Sequence, residues 1–277
     1  MQGTIAQVVA LTIHGNSILE EASSSHSRDF QRLNSTFTHC ESVQFCDALG
    51  DVQTAKTSIY AADPHNWFER LKEERVYALR MKYGPSEEKK AADRILVGFV
   101  GGGGKWLVET CGPERSDYWM PRWLVGNRER VDKRIWRVTY FRSAASKPSH
   151  QDTPENLEGL KDEMKENLRQ IAQFSRSQNL GPFKDAFESG LSRLESLTPL
   201  EGLYHKDIAP VGFLPLSAEQ LLGAAEAAWV FGGMGSWNDL NFEGQAQERY
   251  EQLSEKLYKL LNRAIGAAAN SAIRSGP

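Results

Sequence analysis

Cysteine and long hydrophobic runs are scarce in this sequence of 277 residues. The three cysteines, Cys40, Cys46 and Cys111, are too few and odd in number for a disulfide framework, so they indicate reduced thiols and a cytoplasmic protein. Apolar runs such as Val8 to Leu11 are far shorter than a helix that crosses a bilayer. The first residues also lack the basic segment and apolar core of a signal peptide. We therefore expect no membrane partner.

Excess positive charge is also missing, since the net charge is −3 and the pI is about 6.1. These values argue against a globally basic nucleic-acid binder. The charge is nevertheless uneven: residues 1–150 hold 21 Lys and Arg against 18 Asp and Glu, and the remaining residues hold 12 against 18. Between the halves, Ser143 to Asp152 is small and polar, which is typical of a linker. The sequence therefore predicts two domains, over residues 1–145 and 152–277.

The first half is predicted to be a mainly antiparallel sheet of six or seven strands. Its segments are rich in β-branched and aromatic residues, and several alternate between apolar and polar positions. One short helix is expected after Asp63, a potential N-cap that Pro64 follows at the first helical position. The predicted strands lie in Thr4 to Leu19, Thr36 to Cys46, Tyr77 to Tyr83, Ile95 to Val100, Lys105 to Thr110, Arg122 to Val125 and Arg134 to Arg142.

The second half changes to the helical period. Apolar residues recur every three or four positions in four stretches, which predicts four amphipathic helices packed as a small bundle. The last stripe is the clearest and runs from Tyr250 through Leu257 and Leu261 to Ala268. The predicted fold class is therefore α+β, with an antiparallel sheet domain followed by an all-α domain.

A run of four glycines, Gly101 to Gly104, followed by Lys105, suggests a phosphate-binding loop. A Walker loop is excluded because Phe99 and Trp106 stand where its first glycine and its Ser or Thr would be. The flanking segments also look like strands, so no helix N-terminus faces a phosphate. A hairpin turn is the favoured interpretation, and a ligand-cradling loop that includes Lys105 is the alternative.

A strip of mixed basic and aromatic residues runs from Arg115 to Arg142, with eight Arg or Lys against three acidic residues. Arg122, Arg134 and Arg137 could hold a nucleic-acid backbone or an anionic protein while aromatic rings stack on bases. The favoured alternative is structural, with aromatic side chains on the core face of the strands and arginines on the solvent face.

Histidine and cysteine show no metal-binding spacing such as H-x-x-x-H or C-x-x-C, so no metal site and no cofactor are predicted. Cys40 and Cys46 lie roughly 20 Å apart along one predicted strand, too far to share an ion. A catalytic Cys–His pair stays open, because such partners meet only in the folded chain.

The most distinctive stretch is Gly232-Gly-Met-Gly-Ser-Trp-Asn-Asp239. Gly232 or Gly233 could end the preceding helix in the left-handed conformation, and Asn238 or Asp239 could cap the next element of the chain. A tight connection between helices is favoured over an anion-binding loop. The residues that would form such a binding loop are Gly233, Gly235, Ser236, Trp237, Asn238 and Asp239.

This stretch resembles the signature Gly-Gly-Met-Gly-Ser-(aromatic or Leu)-Asn-Asp of a small bacterial helical domain of unknown function. The resemblance covers at most residues 155–270 and implies a bacterial, cytosolic setting. It implies no activity and no catalytic residues.

The sequence contains no catalytic constellation, so it favours a non-enzymatic binding or regulatory protein, such as an immunity or defence accessory factor, with another protein as its partner. The first alternative is an enzyme or small-ligand binder with its site between the domains, formed by Gly101–Lys105 and Gly232–Asp239. The second is a nucleic-acid binder that uses the strip of residues 115–142.

Overall fold

The computed structural model describes residues 1–20, 25–47, 58–86, 92–98, 102–144 and 154–273. The helices are α1 (Gly3–Glu20), α2 (Ser25–Leu33), α3 (Pro64–Glu73), α4 (Asp93–Leu96), α5 (Leu157–Ser177), α6 (Gly181–Arg193), α7 (Leu216–Ala227) and α8 (Gly244–Asn270). The strands are β1 (Cys40–Asp47), β2 (Ser58–Ala61), β3 (Ala78–Gly84), β4 (Lys105–Cys111), β5 (Ser116–Val125) and β6 (Trp136–Ala144). Short 3-10 helices cover Ser35–Phe37 and Trp237–Asp239.

The six strands form one sheet in the order β2-β1-β6-β5-β4-β3. All neighbours are antiparallel except β1 and β6, which pair in parallel. The prediction of a mainly antiparallel sheet within the first half is therefore confirmed. Helix α3 also lies where expected, and the Asp63 side chain accepts a hydrogen bond from the backbone of Asn66 as its N-cap.

The prediction of strands over Thr4 to Leu19 is wrong, because this segment is helix α1. The helix is buried on nearly every side and packs against β3, β4, α3 and α8. A helix buried all round has no polar face, so its Ile- and Val-rich sequence shows no helical period and looks like buried strands. Tertiary packing here overrides local β propensity.

The predicted hairpin of Ile95–Val100 and Lys105–Thr110 is also wrong. Ile95 belongs to the short helix α4, while Lys105 opens β4, which pairs with β3 and β5. Residues 99 and 100 lie outside the described residues. Gly103 and Gly104 have φ values of 81° and 87°, so this turn needs residues without a side chain.

Helices α5 to α8 lie in the four stretches predicted as helices of the second half, although α7 is buried on most sides and not on one face only. Each packs on its sequence neighbour, and α8 also contacts α5, α1 and β3. Through α1 and α8, one continuous set of buried apolar residues runs from the sheet into the helices. Residues 145–152 of the predicted linker lie outside the described residues, so the division into two domains stays a prediction. No helix in the described ranges combines the length and the apolar character needed to cross a membrane.

Candidate ligand-binding cavity

Two asparagines bind the free edge of strand β3. Among the described strands, only β4 lies beside β3 in the sheet, so the opposite side of β3 carries backbone groups that need other partners. Asn16 of α1 accepts from the Leu79 N–H and donates to the Leu79 carbonyl, both at 2.8 Å. Asn270 of α8 does the same at Met81, at 2.7 and 3.0 Å. The last turn of α8 is therefore fixed against the strand edge.

Away from that contact, α8 and β3 leave a cavity between them. Asn262, Gly266 and Asn270 lie four residues apart on one side of α8, and all three line this space. A Cβ atom built on Gly266 meets no atom of the described residues within 4 Å. The cavity has a volume of about 1070 Å³. Its lining residues are Tyr77, Arg80, Tyr83, Pro85, Ala92, Asp93, Pro154, Glu155, Leu157, Glu255, Tyr258, Lys259, Asn262, Arg263, Gly266, Ala267, Asn270, Ser271 and Ile273.

Two tyrosines form a fixed part of the wall. The Tyr83 hydroxyl donates to Asp93 at 2.9 Å, and the Tyr258 hydroxyl donates to the Gly103 carbonyl at 2.8 Å. Burial raises the pKa of Tyr83 and of Tyr258 above the ordinary value, and the nearby Asp93 carboxylate adds to this rise. Both hydroxyls therefore stay protonated near neutral pH, and both rings keep a neutral, aromatic surface.

Most charges in the lining are already paired. Arg263 binds Glu155 and, outside the lining, Glu163, at 3.1 and 2.8 Å. Lys259 pairs with Glu255 at 3.2 Å. These pairs lie at the rim and leave little net charge for a ligand to meet there.

Two polar groups of the lining have no such partner in the part of the chain that the structure describes. The Asn262 side chain is 6% exposed, and its carbonyl oxygen accepts no hydrogen bond there. Arg80 is 9% exposed and has neither a hydrogen bond nor an ion pair among the described residues. Glu109 lies opposite Arg80 on β4, but its carboxylate makes its ion pair with Lys82, at 3.7 Å. A buried acceptor without a donor is costly, and a ligand could satisfy the Asn262 oxygen. Arg80 keeps a small exposed fraction and could pair with an anionic group of the same ligand.

The glycine-rich motif lies outside this cavity and forms a tight turn. Asp239 accepts hydrogen bonds from the backbone N–H groups of Gly235 and Ser236, while the Ser236 hydroxyl accepts from Asn238. Gly235 has a φ of 82°, whereas Gly232 and Gly233 have no positive φ. The expectation that Gly232 or Gly233 ends the preceding helix in the left-handed conformation is therefore wrong. Helix α7 ends at Ala227, and the left-handed residue of the motif is Gly235, inside the turn.

Trp237 of the motif is buried in the helical half with 0% exposure. Its ring meets Phe183, Phe187 and Tyr250 at centroid distances of 5.2 to 5.3 Å. Its Nε1 donates to Ser254 at 2.7 Å. Trp237 is therefore an anchor that packs the motif on the helices.

Asn238 connects the motif to the cavity wall. Its Nδ2 donates to the Arg94 carbonyl at 2.5 Å. Arg94 is 3% exposed and forms ion pairs with Glu251 and Glu255, while the neighbouring Asp93 lines the cavity. The motif therefore positions α4, and with it the carboxylate that holds Tyr83.

Gly98, three residues before the first glycine-rich stretch, lies close to the second, since a Cβ on Gly98 would be 2.2 Å from the Gly232 carbonyl oxygen. Such packing leaves no room for a ligand at this contact. The described residues of both stretches, Lys105 and the motif included, are absent from the cavity lining. The candidate cavity therefore lies between the sheet and the last helix, and its lining does not include the residues predicted from the glycine-rich stretches.

In the basic-aromatic strip of residues 115–142, most aromatic residues lie on the core face and most arginines on the solvent face, as the alternating pattern predicts. Trp119 and Tyr140 are fully buried in the core. Arg137 is exposed and pairs with Glu41 at 2.9 Å. Arg122 and Arg134 are also exposed. The structure thus separates the rings from most of the charges.

One polar cluster escaped the sequence analysis because its members are distant in the chain. The Ser35 hydroxyl lies 2.9 Å from His205 Nδ1 and 2.5 Å from Asp207 Oδ1. The Ser35 hydroxyl has one hydrogen, and it donates this hydrogen to the closer acceptor, the Asp207 carboxylate. His205 Nδ1 therefore donates its own hydrogen to the serine oxygen. A catalytic triad needs the histidine to accept from the serine and the aspartate to orient the histidine. This cluster therefore joins the 3-10 helix that begins at Ser35 to the connection between α6 and α7, and it is not arranged as a triad.

The residues that line the cavity were also not identified from the sequence. Asn262, Gly266 and Asn270 recur every four positions beside the apolar stripe of α8, and this pattern could have marked a special helix face. No sequence pattern distinguishes Arg80, since an alternating strand commonly has an arginine on its solvent face.

No family model matches this chain, and searches of curated proteins and of solved structures also find no match. The resemblance of the glycine-rich motif to a bacterial helical domain stays a prediction.

Proposed function

We propose that this protein binds a small organic molecule in the cavity between β3 and α8. The observation that carries the proposal is a cavity of about 1070 Å³ beside Gly266, where α8 has no side chain to fill the space. Ligand sites typically measure about 300–1,000 Å³ and combine apolar walls with a few polar groups. The wall of Tyr77, Tyr83 and Tyr258 with Asn262 and Arg80 has this character.

This function combines two hypotheses from the sequence, a binding protein and a ligand site between two domains. If residues 1–145 and 152–277 are separate domains, then the cavity lies at their boundary, where ligand sites are common. The bacterial and cytoplasmic setting is part of the proposal. The cytoplasmic part is supported by three free, buried cysteines, of which Cys40 and Cys111 have a pKa raised to about 11 by burial.

The test is a fluorescence titration of the full chain with N-phenyl-1-naphthylamine, a neutral aromatic probe. We expect saturable binding at one site per chain. Gly266→Phe should fill the cavity and weaken binding at least tenfold, whereas Gly266→Ala should bind the probe like the wild type. Gly266→Ala should also raise stability by about 0.5–1 kcal/mol, because glycine is unfavourable inside a helix.

Circular dichroism checks that Gly266→Phe is folded, and Ala267→Phe offers a second filling position if it is not. Unsaturable binding, or equal affinity in the wild type and all three variants, would refute the proposal.

A second candidate is a regulatory protein that binds another protein through the outer face of the sheet. Met120 and Leu124 on β5 are 38% and 51% exposed, and they flank the exposed Arg122. The double variant Met120→Lys, Leu124→Lys tests this function in a pull-down against the wild type. A partner that the variant loses, with N-phenyl-1-naphthylamine binding unchanged, would support it.

A further inference from the structure

We infer that the ligand of the β3–α8 cavity is a planar aromatic carboxylate that also carries an O–H or N–H donor. The inference rests on the proposed function and defines the ligand class. It derives from the two lining groups that lack partners among the described residues, Arg80 and the Asn262 carbonyl, and from the tyrosines that line the same cavity.

Arg80 selects for negative charge. Within the described residues it is the lining cation without an ion-pair partner, since Lys259 and Arg263 are bound to carboxylates. A guanidinium presents paired N–H donors in the geometry of a carboxylate. Because Arg80 is nine-tenths buried, an anion beside it would be screened little by solvent.

Asn262 selects for a donor. Its carbonyl oxygen is buried with no hydrogen bond from the described residues, so a ligand O–H or N–H would satisfy it. A ligand that lacks a donor would cover this oxygen and leave it unpaired. Sites built around such a group discriminate strongly against analogues that lack its partner.

The aromatic part of the ligand is inferred from Tyr83 and Tyr258. Both are held by their hydroxyls, to Asp93 and to the Gly103 carbonyl, so their rings are fixed as apolar walls. Rigid rings favour a flat ligand, because little side-chain freedom is lost when it binds.

The experiment measures displacement of N-phenyl-1-naphthylamine from the full chain by three compounds. 6-Hydroxy-2-naphthoate has both groups, 2-naphthoate has only the carboxylate, and 2-naphthol has only the donor. We expect 6-hydroxy-2-naphthoate to bind best, with each missing group weakening binding by about tenfold or more.

Two variants assign the groups. Arg80→Met should weaken both naphthoates about tenfold and leave 2-naphthol unchanged, because only the naphthoates carry the charge. Asn262→Leu should weaken 6-hydroxy-2-naphthoate and 2-naphthol, and it should strengthen 2-naphthoate, which no longer covers an unpaired oxygen. Arg80→Met should not lower the melting temperature without ligand, since it removes a buried cation that has no partner among the described residues. Asn262→Leu also removes the hydrogen bond between the Asn262 side chain and Tyr258, so its melting temperature should fall slightly.

The outcomes separate the two levels of the proposal. If N-phenyl-1-naphthylamine binds but the three compounds compete equally, then the ligand class is wrong and the cavity function stands. If the probe does not bind, then both fail. A fall in melting temperature on Arg80→Met, with no change in competition, would show that Arg80 is structural and overturn the inference.

Discussion

The amide of Asn238 donates a hydrogen bond to the backbone carbonyl of Arg94, across 144 residues of sequence. This bond joins the turn after α7 to α4, which carries Asp93 into the cavity wall. The most distinctive motif of the sequence therefore acts on the cavity from outside, by fixing an element that lines it.

Replacement of Asn238 by alanine should loosen α4 and the cavity wall. We expect a loss of about 1–2 kcal/mol in the free energy of unfolding, because the Arg94 carbonyl loses its donor. Binding of N-phenyl-1-naphthylamine should weaken as Asp93 and Tyr83 lose their fixed positions. Urea denaturation and probe titration measure the two effects. Met234→Ala, at a fully exposed residue of the same turn, is the control and should change neither.

The Trp237 anchor should dominate the stability of the helical half. Trp237→Ala should cost about 3–5 kcal/mol, since it removes a large side chain from a closed core. Ser254→Ala should cost about 1–3 kcal/mol, because it leaves the indole N–H without its acceptor. Both values come from urea denaturation. A loss under about 1 kcal/mol for Trp237→Ala would contradict its role as an anchor.

His205 should make stability depend on pH. Burial lowers its pKa below the ordinary value of 6.5, although Glu226 and Asp207 oppose this shift, and the N-terminal ammonium group adds to it. The unfolded chain then binds the proton more readily than the folded protein. The stability from this residue is therefore complete above pH 6.5 and is lost as the pH falls toward the lowered value.

Urea denaturation between pH 7.5 and pH 5 measures this dependence. We expect His205→Gln to flatten it. Equal slopes for the wild type and His205→Gln would contradict the prediction.

The basic strip should not bind nucleic acid. We expect no complex with DNA or RNA at physiological salt, because Trp119 and Tyr140 are buried and Arg137 is paired with Glu41. A gel-shift assay tests this, with charge reversal at Arg122, Arg134 and Arg137 as the comparison. A micromolar, salt-sensitive complex that these reversals abolish would prove the prediction wrong.

Local patterns predicted those parts of the fold that local physics determines. Asp63 and Pro64 mark the start of α3, and the apolar stripe through Leu257 and Leu261 marks α8. Both could be predicted because a helix cap or an amphipathic face is determined by residues close together in the sequence. Helix α1 escaped such reasoning, since its environment comes from elements distant in the sequence. A segment apolar on all sides does not show which period it will adopt.

The cavity could not be found in the same way. Its unpaired groups, Arg80 and Asn262, become special only because of what the described part of the folded chain does not place beside them. Arg80 has an acidic residue opposite it on β4, and only the geometry shows that Glu109 pairs with Lys82 instead. The lack of a hydrogen-bond or ion-pair partner depends on the folded structure and cannot be predicted from a pattern in the sequence.

The asparagine contacts on β3 also bear on the solubility of the protein. An exposed strand edge can recruit a strand from another molecule and so begin aggregation. Asn16 and Asn270 fill the hydrogen-bonding positions of Leu79 and Met81 that an incoming strand would need. The opposite edge, β2, is only four residues long. The two amides therefore act as caps that end the sheet, and a chain without them would present an open edge for assembly into larger, insoluble species.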